Sequence, residues 1–225
     1  MRKEINMETY KKRNQYQWFK NYPCSAYGFD VDIDVTKLVL LSKERKESFF
    51  PYFFFAVMKG INAIDELRMR IVDGLPYLYD RIHPTFTVMT KENVYQNCGF
   101  EMKDDFREFY ETTKEVIEEV KNLPVSDKLD RFPICETPNV VFATCIPVLD
   151  FTGMTHPLPV GNQESLSVPR ICWGKYHQKE DGSYHVMLNI TVSHVFVDGY
   201  PLAACFKTIQ EVVDDVNNWS KFMVK

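Results

Sequence analysis

Apolar and polar positions near the C-terminal end of the chain predict a strand, a turn and a helix in direct succession. Residues 188–192 are rich in apolar and β-branched side chains, which is typical of a strand. Asp198 and Gly199 form a strong turn signal, and residues 200–218 carry apolar side chains at helical spacing. We therefore expect His194 at the carboxyl end of the strand, where loops leave room for a ligand.

Helices and hairpins alternate along the rest of the chain. A long apolar helix is predicted to begin at Pro51, because proline suits the first helical turn, and Thr36 is predicted to be the N-cap of a shorter one. Residues 104–122 predict an amphipathic surface helix. Further strands are predicted at 68–72, 77–79, 85–90, 140–145, 168–178 and 184–193. Residues 123–137 and 150–167 lack a clean period and are predicted to be loops. This mixture favours an α/β sandwich that contains a mixed sheet.

Length and composition favour one soluble domain over residues 1–225, with 45% hydrophobic and 26% charged residues. The formal net charge of −4 argues against nucleic acid or an anionic membrane as the partner. The most hydrophobic stretch, 49–57, is far shorter than the roughly 20 residues of a membrane span. The six cysteines lack Cys-x-x-Cys pairing, so no metal site is expected. Because no basic and apolar leader is visible, we expect a cytoplasmic protein.

His194 is the candidate for proton chemistry. Histidine has an ordinary pKa of about 6.5, which suits a general base near neutral pH. A histidine also needs only one hydrogen-bond partner to be tolerated inside a protein, so the local pattern fits a buried core histidine equally well.

The segment His194-Val-Phe-Val-Asp198-Gly199, followed by an amphipathic helix, resembles the signature of the coenzyme A-dependent acyltransferases. The rest of the chain resembles one branch of them, the chloramphenicol acetyltransferase family. The matching stretches, in chain order, are Tyr16-Gln-Trp-Phe19, Val31-Asp-Ile-Asp34-Val-Thr36, Phe49-Phe-Pro51, residues 65–70, residues 79–88, Asp150-Phe151-Thr152 and Gly174-Lys175-Tyr176.

The resemblance implies a two-layer α/β sandwich with a mixed β-sheet, the coenzyme A-dependent acyltransferase fold, assembled as a homotrimer with sites between subunits. It implies direct transfer of an acetyl group from acetyl-CoA to a hydroxyl of chloramphenicol, a resistance activity, with His194 as general base. Ser193 stands where the family has a first histidine, which is not the base.

The resemblance also implies that Asp198 makes a structural ion pair with an N-terminal arginine. That position falls on Lys12, with Arg13 beside it, so either residue is a candidate partner. Lysine is not equivalent to arginine in a bidentate pair. The alternative for residues 11–13 is a solvated basic run.

The family serine that stabilises the tetrahedral oxyanion is replaced here. The chain has Gly153 after Phe151-Thr152, so Thr152 or the backbone of Gly153 is expected to take that role. Loss of one oxyanion donor typically costs about 10²–10³ in rate. The alternative is a loop that has lost the function.

Substrate contacts are implied for several other positions. Lys175 resembles a family lysine near the coenzyme phosphate, and its alternative is a solvent-facing strand residue. A second such lysine falls on Ser48, with Lys46 close by. Three aromatic residues are expected to line the acceptor pocket or, alternatively, to be ordinary core residues: Trp18, Tyr27 and Phe29.

Two other functions remain open at this point. One is acyl transfer to a different alcohol or to a carrier thiol, as in dihydrolipoyl acyltransferase cores, although no lipoyl domain or linker is visible. The other is a catalytically silent relative that binds coenzyme A or another ligand, because the residues at 12, 153 and 193 depart from the family pattern.

Overall fold

The computed structural model describes residues 1–124 and 132–221 of the chain. The helices are α1 (Arg13–Phe19), α2 (Thr36–Arg45), α3 (Phe49–Ala63), α4 (Phe106–Lys121), α5 (Gln163–Leu166) and α6 (Gly199–Asp214). The strands are β1 (Arg2–Glu4), β2 (Ala26–Asp34), β3 (Met69–Val72), β4 (Leu75–Tyr79), β5 (Thr85–Met89), β6 (Tyr95–Gly99), β7 (Phe142–Cys145), β8 (Arg170–Trp173), β9 (His177–Gln178) and β10 (Tyr184–Ser193). Short 3-10 turns span Asp65–Arg68, Pro133–Glu136 and Val216–Lys221. Part of the predicted loop 123–137 lies outside the described residues.

A large sheet in the order β2-β10-β8-β7-β5-β6 forms the centre of the molecule. β7 runs parallel to both β5 and β8, and the other neighbours in this order are antiparallel. The prediction of an α/β fold with a mixed sheet is therefore confirmed. A smaller antiparallel sheet has the order β1-β4-β3.

Helix α3 packs its aromatic residues against one face of the large sheet. The ring of Phe50 lies 5.3 Å from the rings of Phe86 on β5 and Trp173 on β8, and Phe54 contacts the same two rings. α3 also packs between α4 and α6. Helices on one face of a sheet give a two-layer arrangement with the core between the layers.

The opposite face of the sheet carries a row of polar side chains. Strand pairing places one residue from each strand side by side, from one edge of the sheet to the other: Asn97, Thr87, Thr144, Cys172, Asn189 and Asp30. Thr87 and Phe86 point to opposite faces because side chains alternate along a strand. We call these six residues the polar row.

Helix α2 begins one residue earlier than its sequence suggests. Thr36 was predicted to be the N-cap but is the first helical residue. The side chain of Asp34 accepts hydrogen bonds from the backbone N–H and the hydroxyl of Thr36, at 2.9 and 2.6 Å. The carboxylate therefore satisfies a donor of the first turn, which lets the helix start at Thr36.

Candidate active site

His194 directly follows the last residue of β10, and its backbone is tied to the N-terminal part of the chain. Its N–H donates to the carbonyl of Ser25 at 2.7 Å, and its carbonyl accepts from the side-chain amide of Gln15 at 2.8 Å. The preceding residue, Ser193, pairs its hydroxyl with that of Ser25 at 2.8 Å. The turn after β10 is thus fixed on both sides of His194.

Aromatic contacts hold the imidazole ring. It stacks on Phe19, with centroids 4.1 Å apart and planes inclined by 9°, and lies 4.7 Å from the ring of Tyr27. Its Nδ1 is buried and makes no hydrogen bond within the described residues. Burial raises the pKa of Tyr27 to about 12, so the phenol beside the imidazole is neutral. Sequence reasoning missed Gln15 and the stacking role of Phe19.

Asp198 joins the start of α6 to the N-terminal segment. Its side chain accepts the backbone N–H of Tyr200 at 3.1 Å, which is the N-cap bond of the helix, and its Oδ2 lies 2.9 Å from Lys12 Nζ. Arg13 is not a partner of Asp198, because its guanidinium donates to the carbonyl of Glu8 at 3.1 Å. Of the two sequence alternatives, Lys12 is the one that forms the pair.

A second carboxylate completes this cluster. Glu66 Oε1 lies 2.7 Å from Lys12 Nζ, so a single ammonium contacts both Glu66 and Asp198. Burial alone would lower the pKa of Lys12. The hydrogen bonds to the two carboxylates outweigh burial, so the pKa of Lys12 is raised. We call Lys12, Glu66 and Asp198 the Lys12 cluster. No local motif in the sequence predicts a role for Glu66, which is distant in sequence from both Lys12 and Asp198.

The loop that carries Thr152 and Gly153 lies against β2. A Cβ added to Gly153 would lie 3.4 Å from Asp30 Oδ2. Oδ1 of the same carboxylate accepts from the Met154 N–H at 3.3 Å and from the Asn189 amide at 2.9 Å. The place of the family serine is therefore faced by a carboxylate, and the Met154 N–H is already engaged.

Asn189 of the polar row also anchors this loop. Because the Asp30 carboxylate can only accept, it fixes which end of the Asn189 amide points towards it. The amide oxygen is then left to face His156 Nε2 and the Thr191 hydroxyl, both at 3.0 Å. Burial lowers the pKa of His156, which favours the neutral imidazole. In this arrangement His156 donates from Nε2 and holds the loop on the sheet.

Within one chain, the loop that carries Thr152 and Gly153 lies apart from His194. Gly153 lies beside Asp30, whereas His194 bonds to Ser25, five residues earlier. At the rise of a β-strand, five residues correspond to about 17 Å. Thr152, which is exposed, therefore belongs to a different region of this chain from His194.

Lys175 is exposed beside a small cavity. The cavity of about 190 Å³ is lined by Lys175, Tyr176, Trp173 and Ser48, among others. Gly174 permits the adjacent loop to approach closely, because a Cβ there would lie 2.5 Å from the carbonyl oxygen of Leu149. A second cavity, of about 390 Å³, shares Ser48 and adds three lysines: Lys46, Lys114 and Lys121.

A third cavity, of about 260 Å³, lies on the face of the sheet that carries the polar row. Its lining includes Thr87, Asn97 and Thr144 of the polar row, together with Thr85 and Phe142. The hydroxyls of Thr87 and Thr144 are 3.3 Å apart. β7 contributes Thr144 to this cavity and the next residue, Cys145, to the cavity beside Lys175.

The three predicted aromatic residues have different surroundings. Tyr27 contacts His194, whereas Trp18 and Phe29 are 67% and 40% exposed. Neither Trp18 nor Phe29 is a core aromatic. Trp18 donates its indole N–H to the Tyr22 hydroxyl at 2.7 Å, and Phe29 packs edge-on against Tyr27.

The described part of the chain offers neither a metal-binding group nor a membrane-spanning helix. Residues 1–124 and 132–221 contain no group of histidine, cysteine, aspartate or glutamate residues arranged to hold a metal ion. None of the described helices combines the length and the apolar character that crossing a membrane requires.

Comparison with known proteins gives consistent results. The family model described as chloramphenicol acetyltransferase matches residues 2–210. The chain is 24% identical over 212 residues to a chloramphenicol acetyltransferase of Escherichia coli, covering 94% of this chain and 93% of the relative. It is 27% identical over 219 residues to one of Staphylococcus aureus, covering 96% and 97%.

Solved structures show the same fold. A chloramphenicol acetyltransferase superposes with a TM-score of 0.85 at 21% identity, covering 95% of this chain and all of the other. The dihydrolipoamide acetyltransferase of Azotobacter vinelandii superposes with a TM-score of 0.67 at 14% identity, covering 92% and 88%. The expected coenzyme A-dependent acyltransferase fold is confirmed.

Proposed function

The chain belongs to the chloramphenicol acetyltransferase family, a family of acyltransferase enzymes, and on that premise we propose that it transfers an acetyl group from acetyl-CoA to a hydroxyl of chloramphenicol. The observation that carries the proposal is the placement of His194 at the carboxyl end of β10, stacked on Phe19 and joined through its turn to the Lys12 cluster. The proposed setting is a cytoplasm in which this reaction confers resistance.

His194 acts as the general base in this proposal. A neutral alcohol is a weak nucleophile, so the imidazole takes the hydroxyl proton as the oxygen attacks the thioester carbonyl of acetyl-CoA. The tetrahedral intermediate then collapses and expels the coenzyme thiolate, which takes the proton back from the imidazolium. No acyl-enzyme forms. Asp198 has a structural role, because it is engaged by Lys12 and by the first turn of α6.

The oxyanion of the intermediate needs a donor from the loop at residues 152–153. Thr152 offers an exposed hydroxyl and Gly153 a backbone N–H, and we assign the role to this pair. The Met154 N–H is a poor candidate because Asp30 already accepts from it. The carboxylate of Asp30 opposes a developing negative charge, so transfer is expected to be slower than it would be without this carboxylate.

Acetyl-CoA is proposed to bind along the two cavities that share Ser48. Lys175 beside the smaller cavity and Lys46 beside the larger one supply positive charge for phosphate groups. Lys46 would then take the role of the family lysine that falls on Ser48.

A homotrimer with sites between subunits accounts for the separation of His194 from the loop at Gly153. In such an assembly the loop of one subunit meets His194 of its neighbour. Exposed aromatic residues surround the contacts of His194 and Asp198, as an interface requires: Trp18, Phe29 and Tyr200, with exposed fractions of 67%, 40% and 85%.

Steady-state acetylation of chloramphenicol, followed by thiol release, tests the proposal. Wild type should release thiol in the presence of chloramphenicol, and His194→Ala should lose about 10²–10⁴ in rate. His185→Ala is the matched control, since His185 lies at the far end of β10. Wild-type activity in His194→Ala would refute the assignment of His194 as the general base. A trimer that binds acetyl-CoA and leaves chloramphenicol unmodified would refute chloramphenicol as the acceptor.

A more polar alcohol is a second candidate acceptor, and the polar row favours it. The hydroxyl groups of Thr87 and Thr144 line the cavity on the face of the sheet that carries the polar row. Such groups lose water on binding and need hydrogen-bonding partners on the ligand. Glycerol, sorbitol and N-acetylglucosamine are suitable probes in the same assay. If chloramphenicol is by far the best acceptor, and Thr144→Val leaves its kcat/KM unchanged, this alternative is excluded.

A further inference from the structure

Glu66 is linked through Lys12 to Asp198, in the turn that carries His194. Its Oε1 lies 2.7 Å from Lys12 Nζ, which in turn lies 2.9 Å from Asp198 Oδ2. The three side chains are about three-quarters buried, with exposed fractions of 28% for Lys12, 23% for Glu66 and 32% for Asp198. We propose that Glu66 is a positioning residue, which orients Lys12 against Asp198 and thereby the turn that carries His194. The inference rests on the proposed function.

The chemistry of lysine explains why a second carboxylate is needed. A guanidinium is a planar fork that grips one carboxylate through two parallel hydrogen bonds, whereas an ammonium is a point charge on a flexible stem. With Asp198 as its one partner, Lys12 would keep much of its rotamer freedom. A second carboxylate on the same ammonium removes that freedom, so Glu66 supplies the geometric restraint that the family arginine provides alone.

The turn that carries Glu66 is itself rigid. Leu67 is fully buried, and the guanidinium of Arg68 donates to the carbonyls of Tyr79 and Asp80 at 2.7 and 3.0 Å. Glu66 therefore reaches Lys12 from a fixed backbone. On the other side, Asp198 is fixed by its N-cap bond to Tyr200. Lys12 therefore lies between two carboxylates whose residues have supporting contacts of their own or beside them.

The test is a double-mutant cycle between residues 66 and 12, measured as kcat and as KM for acetyl-CoA. Glu66→Ala should lower kcat about tenfold and leave the KM unchanged, since a small misplacement of a catalytic group has effects of this size. Glu66→Gln, which keeps the shape and loses the charge, should lie between wild type and Glu66→Ala. Glu44→Ala, at an exposed position of α2, is the matched control and should behave as wild type.

The decisive measurement uses Lys12→Arg. An arginine can hold Asp198 through its own fork, so the loss caused by Glu66→Ala should shrink from about tenfold to less than about threefold in that background. An equal loss in both backgrounds, or a loss that follows a lowered melting temperature, would mean that Glu66 only supports the fold. Wild-type kcat in Glu66→Ala would also overturn the inference while leaving the proposed acetyl transfer intact. An inactive wild type would overturn both.

Discussion

The imidazole of His194 lies flat on the ring of Phe19, with centroids 4.1 Å apart and planes inclined by 9°. The same helix, α1, supplies the Gln15 amide that binds the carbonyl of His194, and Lys12 immediately precedes it. A short N-terminal helix therefore contacts the proposed base through its ring and its backbone. It also positions the cation that binds Asp198.

Phe19→Ala should lower kcat by about tenfold, with little change in KM for acetyl-CoA. The reason is that Nδ1 of His194 has no hydrogen-bond partner among the described residues, so stacking is what restrains the ring. Gln17→Ala, at an exposed position of α1, is the control and should retain wild-type kcat. An unchanged kcat in Phe19→Ala would show that the ring is held by other contacts.

Gly153→Ser alone should raise kcat by less than about threefold, although it restores the residue type of the family. The hydroxyl of the new serine would lie beside the Asp30 carboxylate. It would then donate its hydrogen bond to Asp30 in competition with the oxyanion. Combined with Asp30→Asn, the serine should raise kcat by about tenfold or more relative to Asp30→Asn alone. A large gain in the single variant would indicate that Asp30 turns away from this loop during turnover.

Lys175→Gln should raise the KM for acetyl-CoA about tenfold, the equivalent of one lost charge contact, and leave kcat unchanged. Ser48→Lys should lower the same KM, because it adds positive charge where the two coenzyme cavities meet. Lys179→Gln serves as the control, since this lysine pairs with Asp32. Equal changes in Lys175→Gln and Lys179→Gln would point to general electrostatic attraction only.

The stability contributed by the Asp198 carboxylate should depend on pH. Burial opposes its ionisation, but the hydrogen bonds from Lys12 and from the Tyr200 N–H outweigh burial and lower the pKa of Asp198. A lowered folded-state pKa stabilises the fold fully above the unfolded pKa of about 3.9, and this contribution is lost as the pH falls through the folded pKa.

Urea unfolding of wild type and Asp198→Asn measures this contribution. The difference in the free energy of unfolding should be level between about pH 5 and pH 9 and should shrink below about pH 4. The upper end of the window follows from Lys12, whose raised pKa keeps the ammonium charged throughout it. A difference that grows on acidification would contradict the assignment.

The sequence predicts the parts of this fold that repeat a strong local pattern. β10 and α6 follow from β-branched content and helical spacing, and both appear close to their expected positions. α1 escaped prediction because it has only seven residues and no side-chain cap. β6 was also missed, since the polar pattern of Tyr95–Gly99 does not distinguish a strand from a loop.

In the candidate site, too, local sequence patterns predict some residues and long-range packing decides the others. His194 and Asp198 became candidates because they lie four positions apart beside a strong turn signal. The sequence does not show which of Lys12 and Arg13 pairs with Asp198, because the answer depends on the direction in which each side chain leaves the backbone near α1. Glu66 and Asp30 meet their partners only through long-range packing, and no local pattern records such a contact.

The pairing of β2 with β10 has a consequence for the order in which this molecule forms. Asp34 pairs with His185 and Ala26 with Ser193, so the partners are 151 to 167 residues apart in sequence. Contacts of such long range form slowly, because the loop they close is entropically costly. During synthesis, β2 leaves the ribosome long before its partner exists, and its edge stays unpaired until β10 has emerged. Acetyltransferase activity should therefore appear late in refolding, after most helical signal has returned.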